Sequence, residues 1–125
     1  MDTHTLVWLT TGGERLSATA RDHLADASRT LLVSPATVWE LSIKNGMGKL
    51  DLKIPLPDLV QRALAHPRII LLPITPRHAL GVRDLPQHHR DPFDRLLIAT
   101  ALAEGCPIVS KDTSLDAYEG LQRIW

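Results

Sequence analysis

Five acidic residues occupy points of the chain where a carboxylate could take part in chemistry. They lie before a helical segment, in the second turn of a helix, at the start of a long helix, and just after a short apolar run: Asp2, Glu40, Asp91, Asp94 and Asp112. Carboxylates gathered in one cleft raise one another's pKa unless a cation is present. An oxygen-liganded Mg²⁺ or Mn²⁺ would satisfy such a cluster and would support phosphodiester hydrolysis.

Each of these acids also has an ordinary structural explanation. Asp91 can cap a helix, and Asp94 suits the positive end of the helix dipole. Asp112 is typical of a turn, and Glu40 can be a surface residue. The spacing of the acids alone leaves both interpretations open, so the elements that position them become important.

Short apolar runs alternate with helical patterns along the chain. The predicted strands are Thr30–Val33, Ile69–Leu72 and Pro107–Ser110, whose aliphatic composition is typical of buried parallel strands. Predicted helices begin at Ser17, Ser34-Pro35, Pro57, Pro76 and Asp91-Pro92 and end near Ala27, Gly46, Ala65, Val82 and Gly105. This order predicts a three-layer α/β/α domain with a mainly parallel central sheet, in which functional residues follow the strands.

Composition indicates a single globular domain and argues against a disulfide-stabilised or membrane-spanning protein. The 125 residues fit one domain over residues 1–125, and a hydrophobic content of 44% is typical of a globular protein. A single cysteine excludes an internal disulfide, and no apolar run approaches the roughly 20 residues of a membrane helix. We therefore expect a cytoplasmic protein without a membrane partner.

Charge is balanced overall but uneven along the chain. Fourteen basic and fourteen acidic residues cancel, which by itself argues against a strongly basic nucleic-acid binder. Residues 61–95 nevertheless hold six arginines and four histidines against three acids. That stretch forms either a locally basic face or a solvated surface. His88 and His89 are predicted to be surface residues of the loop before the last helix rather than metal ligands.

Four segments carry a more specific pattern. They are Asp2–Trp8 (DTHTLVW), Ser34–Lys44 (SPATVWELSIK), His89–Ala99 (HRDPFDRLLIA) and Ile108–Asp112 (IVSKD). Together they resemble the PIN-domain ribonucleases, in particular the VapC-like toxins of toxin–antitoxin pairs. The closing residues 121–125 are similar to the last strand of that family, so the resemblance spans essentially the whole chain.

The resemblance implies a catalytic metal site on four acids, which are Asp2, Glu40, Asp94 and Asp112. Asp91 is either an additional metal ligand or only a helix cap. The implied cofactor is Mg²⁺, with Mn²⁺ as the alternative. The implied activity is metal-dependent endoribonuclease cleavage by a toxin, with RNA as substrate, a small VapB-like antitoxin as partner, and a homodimer as the assembly.

Three further residues have candidate supporting roles, of which only that of Ser110 comes from the resemblance. Ser110 either orients a carboxylate or water or makes a strand-end hydrogen bond. Arg90 and Arg95 either contact RNA phosphates or form salt bridges with the neighbouring acids.

One departure from the family pattern concerns the start of the chain. The family has an apolar central strand before its first aspartate, whereas Asp2 here follows only Met1. We therefore expect this strand to be truncated, and a PIN-fold binding module with impaired catalysis is the alternative function. A receiver-like signalling domain is disfavoured, because the stretch LLPITPRH at residues 71–78 offers no aspartate to accept a phosphoryl group.

Overall fold

The computed structural model, which describes residues 1–125, contains six α-helices and four short β-strands. The helices are α1 (Thr3–Thr10), α2 (Ala18–Ala25), α3 (Pro35–Gly46), α4 (Leu56–Ala65), α5 (Pro76–Asp84) and α6 (Pro92–Glu104). The strands are β1 (Leu31–Val33), β2 (Ile69–Leu71), β3 (Ile108–Val109) and β4 (Arg123–Ile124), and a 3-10 helix covers Thr113–Ala117. None of the helices combines the length and the apolar character needed to cross a bilayer.

Local signals explain the bounds of the two helices that carry Glu40 and Asp94. Ser34 and Asp91 each accept a hydrogen bond from a backbone N–H in the first turn, and a proline follows each cap. Gly105 ends α6 in the left-handed conformation, with φ of 62°, which glycine adopts without steric cost. All the predicted helices are present, and their ends lie within two residues of the predicted ends.

The strands form two parallel pairs rather than one continuous sheet. Strand β1 pairs with β2, and β3 pairs with β4. The predicted parallel strands are therefore confirmed, while the central layer is divided in two. Helices lie on both sides of this layer, which gives the three-layer α/β/α architecture.

The main chain of Met1 and Asp2 bridges the two strand pairs. The Met1 amino group donates to the Leu32 carbonyl oxygen at 3.1 Å, and the Asp2 N–H donates to the Val109 carbonyl oxygen at 3.2 Å. The Met1 amine is buried, and desolvation lowers its pKa. A groove of about 310 Å³, lined mainly by apolar side chains, lies beside this bridge between β1 and β3. The bridge fixes Asp2 next to the end of β3.

Two hydrophobic clusters pack the helices against the strands. The first includes Leu6 of α1, Val33 of β1 and Leu41 of α3. The second includes Ile98 of α6 and Ile108 of β3. The two clusters thus support different sets of the acid-bearing elements.

The loop between α5 and α6 is held by a buried arginine. Arg95 is only 8% exposed, and its guanidinium donates to the carbonyl oxygens of Val82, Leu85 and Pro86 at 2.9, 3.1 and 2.8 Å. These carbonyls belong to the end of α5 and the residues that follow it. Arg95 therefore fastens this loop to α6.

Candidate active site

The four acids Asp2, Glu40, Asp94 and Asp112 line one cleft of about 300 Å³. No hydrophobic residue lines this cleft, and its remaining walls are polar or basic: Thr3, His4, Lys44, Lys111 and Thr113. Asp2 caps α1, Glu40 projects from α3, Asp94 lies in the first turn of α6, and Asp112 caps the 3-10 helix. Residues from opposite ends of the chain therefore meet in a single polar cavity.

Asp2 and Glu40, the inner pair, are buried in the cleft floor. Asp2 accepts one hydrogen bond from the backbone N–H of Thr5 at 2.7 Å and another from the hydroxyl of Ser110. Glu40 accepts one from the hydroxyl of Thr3 and one from the ammonium of Lys44. Every oxygen of the inner pair thus has a protein donor, which satisfies carboxylates at this depth.

Asp94 and Asp112, the outer pair, are partly exposed, with 28% and 43% of their side chains accessible. The Nε2 atom of His89 lies 3.1 Å from Asp112 Oδ2 and 3.5 Å from Asp94 Oδ2. Asp112 also accepts a hydrogen bond from the backbone N–H of Ser114 at 2.9 Å. One imidazole therefore faces both outer carboxylates.

The electrostatics of the cleft reflect an excess of negative charge. Burial is the main cause that raises the pKa of Asp94, and the neighbouring carboxylates, including Glu40 and Asp2, raise it further, while His89 opposes the rise. The resulting pKa is about 6. Burial alone would raise the pKa of Asp112, but hydrogen bonds from Ser114 and His89 outweigh it, so that the pKa is lowered. An added cation would relieve the repulsion that acts on Asp94.

Lys44 is the basic residue that lies deepest among the acids. Burial alone would lower the pKa of its ammonium group, but the hydrogen bond to Glu40 and the negative charges of Asp91 and Asp94 outweigh burial and raise it. Lys44 therefore partly neutralises the cleft floor. Lys111 lies at the surface, with its ammonium 5.2 Å from the centre of the Trp8 ring.

The donor set fits a hard divalent cation, because the acids contribute only carboxylate oxygens. Their arrangement is open, and no three His, Cys, Asp or Glu side chains are close enough to enclose one ion. Holding an ion therefore requires the carboxylates to approach one another. Asp94 has the most freedom to do so, since it is partly exposed and the nearest protein donor, His89 Nε2, lies 3.5 Å from it.

The supporting residues predicted from sequence have separate positions. Ser110 is buried and donates to Asp2, so it orients a carboxylate. Asp91 caps α6 by accepting from the backbone N–H of Phe93 at 2.8 Å and does not line the cleft. Arg90 is exposed.

The prediction that Arg95 contacts RNA phosphates is wrong. Its guanidinium is buried and bound to backbone carbonyl oxygens, so neither a phosphate nor Asp94 competes for it. The surface interpretation of Glu40 is also excluded, because the residue is only 5% exposed.

Sequence reasoning missed three side chains that contact the acids. Lys44 lies four residues after Glu40, a spacing that brings side chains together on a helix and could have identified it. Thr3 follows Asp2 directly, and no local signal points to its contact with Glu40. The sequence predicts His89 at the surface, but its side chain is only 17% exposed and faces the outer pair.

Two comparisons relate the chain to known proteins. The family model of the PIN domain matches residues 1–121. The chain is also 31% identical over 119 residues to Ribonuclease VapC22 of Mycobacterium tuberculosis (strain ATCC 25618 / H37Rv), a match that covers 94% of this chain and 89% of the relative. Because both matches span nearly the full length, the chain belongs to the PIN domain family.

Proposed function

We propose that the protein is a metal-dependent endoribonuclease that acts as the toxin of a toxin–antitoxin pair. The observation that carries the proposal is the meeting of Asp2, Glu40, Asp94 and Asp112 in one cleft without apolar walls. The similarity to Ribonuclease VapC22 supports RNA as the substrate. We place the protein in the cytoplasm, where both RNA and a protein antitoxin are available.

Asp2 and Glu40 would form the fixed part of the metal site, because protein donors already orient both carboxylates. Asp94 and Asp112 would complete it from the less buried side. When bound, Mg²⁺ or Mn²⁺ supplies an activated water and neutralises charge on the scissile phosphate. The chain then needs no nucleophilic side chain of its own.

The basic groups of the cleft would bind and orient the RNA backbone. Lys111 is exposed at the wall of the cleft and can contact a phosphate beside the reacting one. Lys44 stays bound to Glu40 and limits the negative charge that an incoming phosphate meets. Arg90, exposed in the loop before α6, is a further candidate for phosphate contact.

A VapB-like antitoxin is the proposed partner, and the surface beside the cleft supports it. Trp39 and Ile43 of α3 and Met47, the residue that follows this helix, are 61%, 38% and 59% exposed. Their spacing of four residues places them along one face. The Trp39 ring packs edge-on against Phe93 of α6, with ring centres 5.0 Å apart. An antitoxin helix could cover this stripe while presenting an arginine or lysine to the acids.

We also propose that the protein is a homodimer.

The test of the enzymatic proposal is cleavage of total RNA by the purified chain, with and without Mg²⁺ or Mn²⁺. We expect cleavage that depends on added metal and stops with a chelator. Cleavage that persists in the presence of the chelator would contradict metal dependence. Calorimetric titration with Mn²⁺, run in parallel, measures metal binding independently of RNA.

The second candidate is a PIN-fold binding module without catalysis. The observation that favours it is the open arrangement of the acids, in which no three metal-binding side chains enclose a common point. RNA binding without cleavage, together with no heat of Mn²⁺ binding, would support this alternative.

A further inference from the structure

The two ring nitrogens of His89 have different partners, and these partners define its tautomer. The backbone N–H of Asp91 donates to Nδ1 of His89 at 3.2 Å. A backbone N–H can only donate, so Nδ1 must carry a lone pair rather than a proton. In the neutral imidazole the proton then lies on Nε2, which donates to Asp112 Oδ2 at 3.1 Å.

The backbone around His89 fixes the direction of its ring. The His89 N–H donates to the hydroxyl of Tyr118 at 2.9 Å, and Tyr118 is buried in the second hydrophobic cluster. The Asp91 N–H fixes the ring from its other side. The imidazole is thus fixed through its Nδ1 atom, and only its Nε2–H projects toward the outer pair.

Both carboxylate oxygens of Asp112 therefore accept hydrogen bonds from protein donors. Oδ1 accepts from the Ser114 N–H at 2.9 Å as the cap of the 3-10 helix, and Oδ2 accepts from His89. Because the cap bond alone leaves the second oxygen without a protein donor, the imidazole determines where that oxygen points. The direction is toward Asp94, whose Oδ2 lies 3.5 Å from the same nitrogen.

We propose that His89 is a positioning residue, which holds the Asp112 carboxylate facing Asp94, and that it is not itself a metal ligand. Ligation through Nε2 would require the proton to move to Nδ1, where it would meet the Asp91 N–H and break that hydrogen bond. Hydrogen bonds of this kind, one shell outside a metal, typically change metal affinity by 10- to 100-fold when removed. The metal part of this inference rests on the proposed function, whereas the hydrogen bond does not.

Two substitutions of His89 separate the role of Nδ1, which accepts from Asp91, from the role of Nε2, which donates to Asp112. In His89→Asn the amide oxygen can replace Nδ1 as the acceptor for Asp91, but no donor reaches Asp112. In His89→Gln the longer side chain can place its NH₂ near the position of Nε2, while the acceptor for Asp91 is lost. We expect His89→Asn to weaken Mn²⁺ binding in calorimetry by about tenfold or more. His89→Gln should retain most of the affinity and lose more thermal stability than His89→Asn.

His88→Asn is the matched control in the same loop. His88 packs edge-on against Tyr118 and makes no contact with the acids, so its substitution should leave Mn²⁺ affinity unchanged. Circular dichroism verifies that all three variants are folded. Equal losses of affinity in the Asn and Gln variants, or an unchanged affinity in His89→Asn, would overturn the positioning role.

The tautomer is measured separately, by long-range ¹H–¹⁵N NMR correlation of the imidazole in the metal-free chain. We expect a protonated Nε2 and an unprotonated Nδ1, and the opposite tautomer would overturn the proposed hydrogen bond. Failure of the unsubstituted chain to bind Mn²⁺ would overturn the proposed metal function and the metal part of this inference. The NMR result would still decide whether His89 donates to Asp112.

Discussion

On one side of the cleft Asp2 and Glu40 are buried and each accepts a hydrogen bond from a hydroxyl group, whereas on the other side Asp94 and Asp112 are partly exposed and face one histidine. The inner pair is part of the packing of the protein. The outer pair lies at the edge of that packing, and burial together with like charges has raised the pKa of one of its members. The difference indicates a rigid inner half of the site and an outer half in which Asp94 is the carboxylate with the fewest constraints.

The largest expected loss of stability comes from Asp2→Ala, which removes one carboxylate of the inner pair. This change removes the cap of α1 and leaves the buried Ser110 hydroxyl without its acceptor, so the free energy of unfolding should fall by about 2 to 4 kcal/mol. RNA cleavage should also be lost. Urea unfolding and the cleavage assay measure the two effects.

Asp2→Asn is the control for that prediction. Asparagine caps helices about as well as aspartate and keeps one oxygen, so it should preserve much more of the stability while still abolishing cleavage. Equal stability of Asp2→Ala and the unsubstituted chain would contradict the rigid role assigned to the inner pair.

Breaking the outer pair with Asp94→Asn should abolish cleavage without loss of stability. The amide is nearly isosteric, but it removes one negative charge from the proposed metal site. It also relieves repulsion from Asp91, Glu40 and Asp2, so that the metal-free chain should be equally stable or slightly more stable. Clear destabilisation in urea would show that both sides of the cleft are built alike.

The raised pKa of Asp94 predicts that this member of the outer pair makes the stability of the protein depend on pH. Since this pKa rises from 3.8 to about 6 on folding, the folded chain binds more protons than the unfolded chain between these values. The contribution of Asp94 therefore lowers the stability of the metal-free protein as pH rises through this window. Unfolding in urea at several pH values should show this trend, and Asp94→Asn should lack it. Parallel pH curves for the two proteins would contradict the raised pKa.

The smallest expected effect belongs to Asp91→Asn. Asp91 caps α6 through Phe93 and lies outside the cleft lining, and asparagine is an equivalent cap. Stability should change by less than about 0.5 kcal/mol, and measurable cleavage should remain. Loss of cleavage here, with activity retained in Asp94→Asn, would assign the metal-binding role to the other member of the pair.

Local rules predicted the elements well, because their signals are contained in a few adjacent residues. Ser34-Pro35 and Asp91-Pro92 begin helices, and Gly105 ends one, as their backbone preferences dictate. These rules also placed the four acids on elements that converge. The family resemblance supplied the choice of Asp94 over Asp91, which local signals left open.

Tertiary contacts account for what the sequence did not predict. Arg95 lies one turn into α6, and nothing local indicates that its guanidinium turns inward to the carbonyls at and after the end of α5. His89 likewise depends on Asp112, 23 residues further along the chain. The division of the central layer into two strand pairs depends on packing between distant segments, which periodicity cannot reveal.

The hydrogen bond between Ser110 and Asp2 joins residues 108 positions apart, and it has a consequence for synthesis on the ribosome. Asp2 and Glu40 are translated before Asp94, Ser110 and Asp112. A nascent chain cannot close the cleft until β3 has been released and can pair with the bridge at Met1 and Asp2. A growing chain would therefore lack the proposed nuclease activity beside the very ribosome and message that produce it.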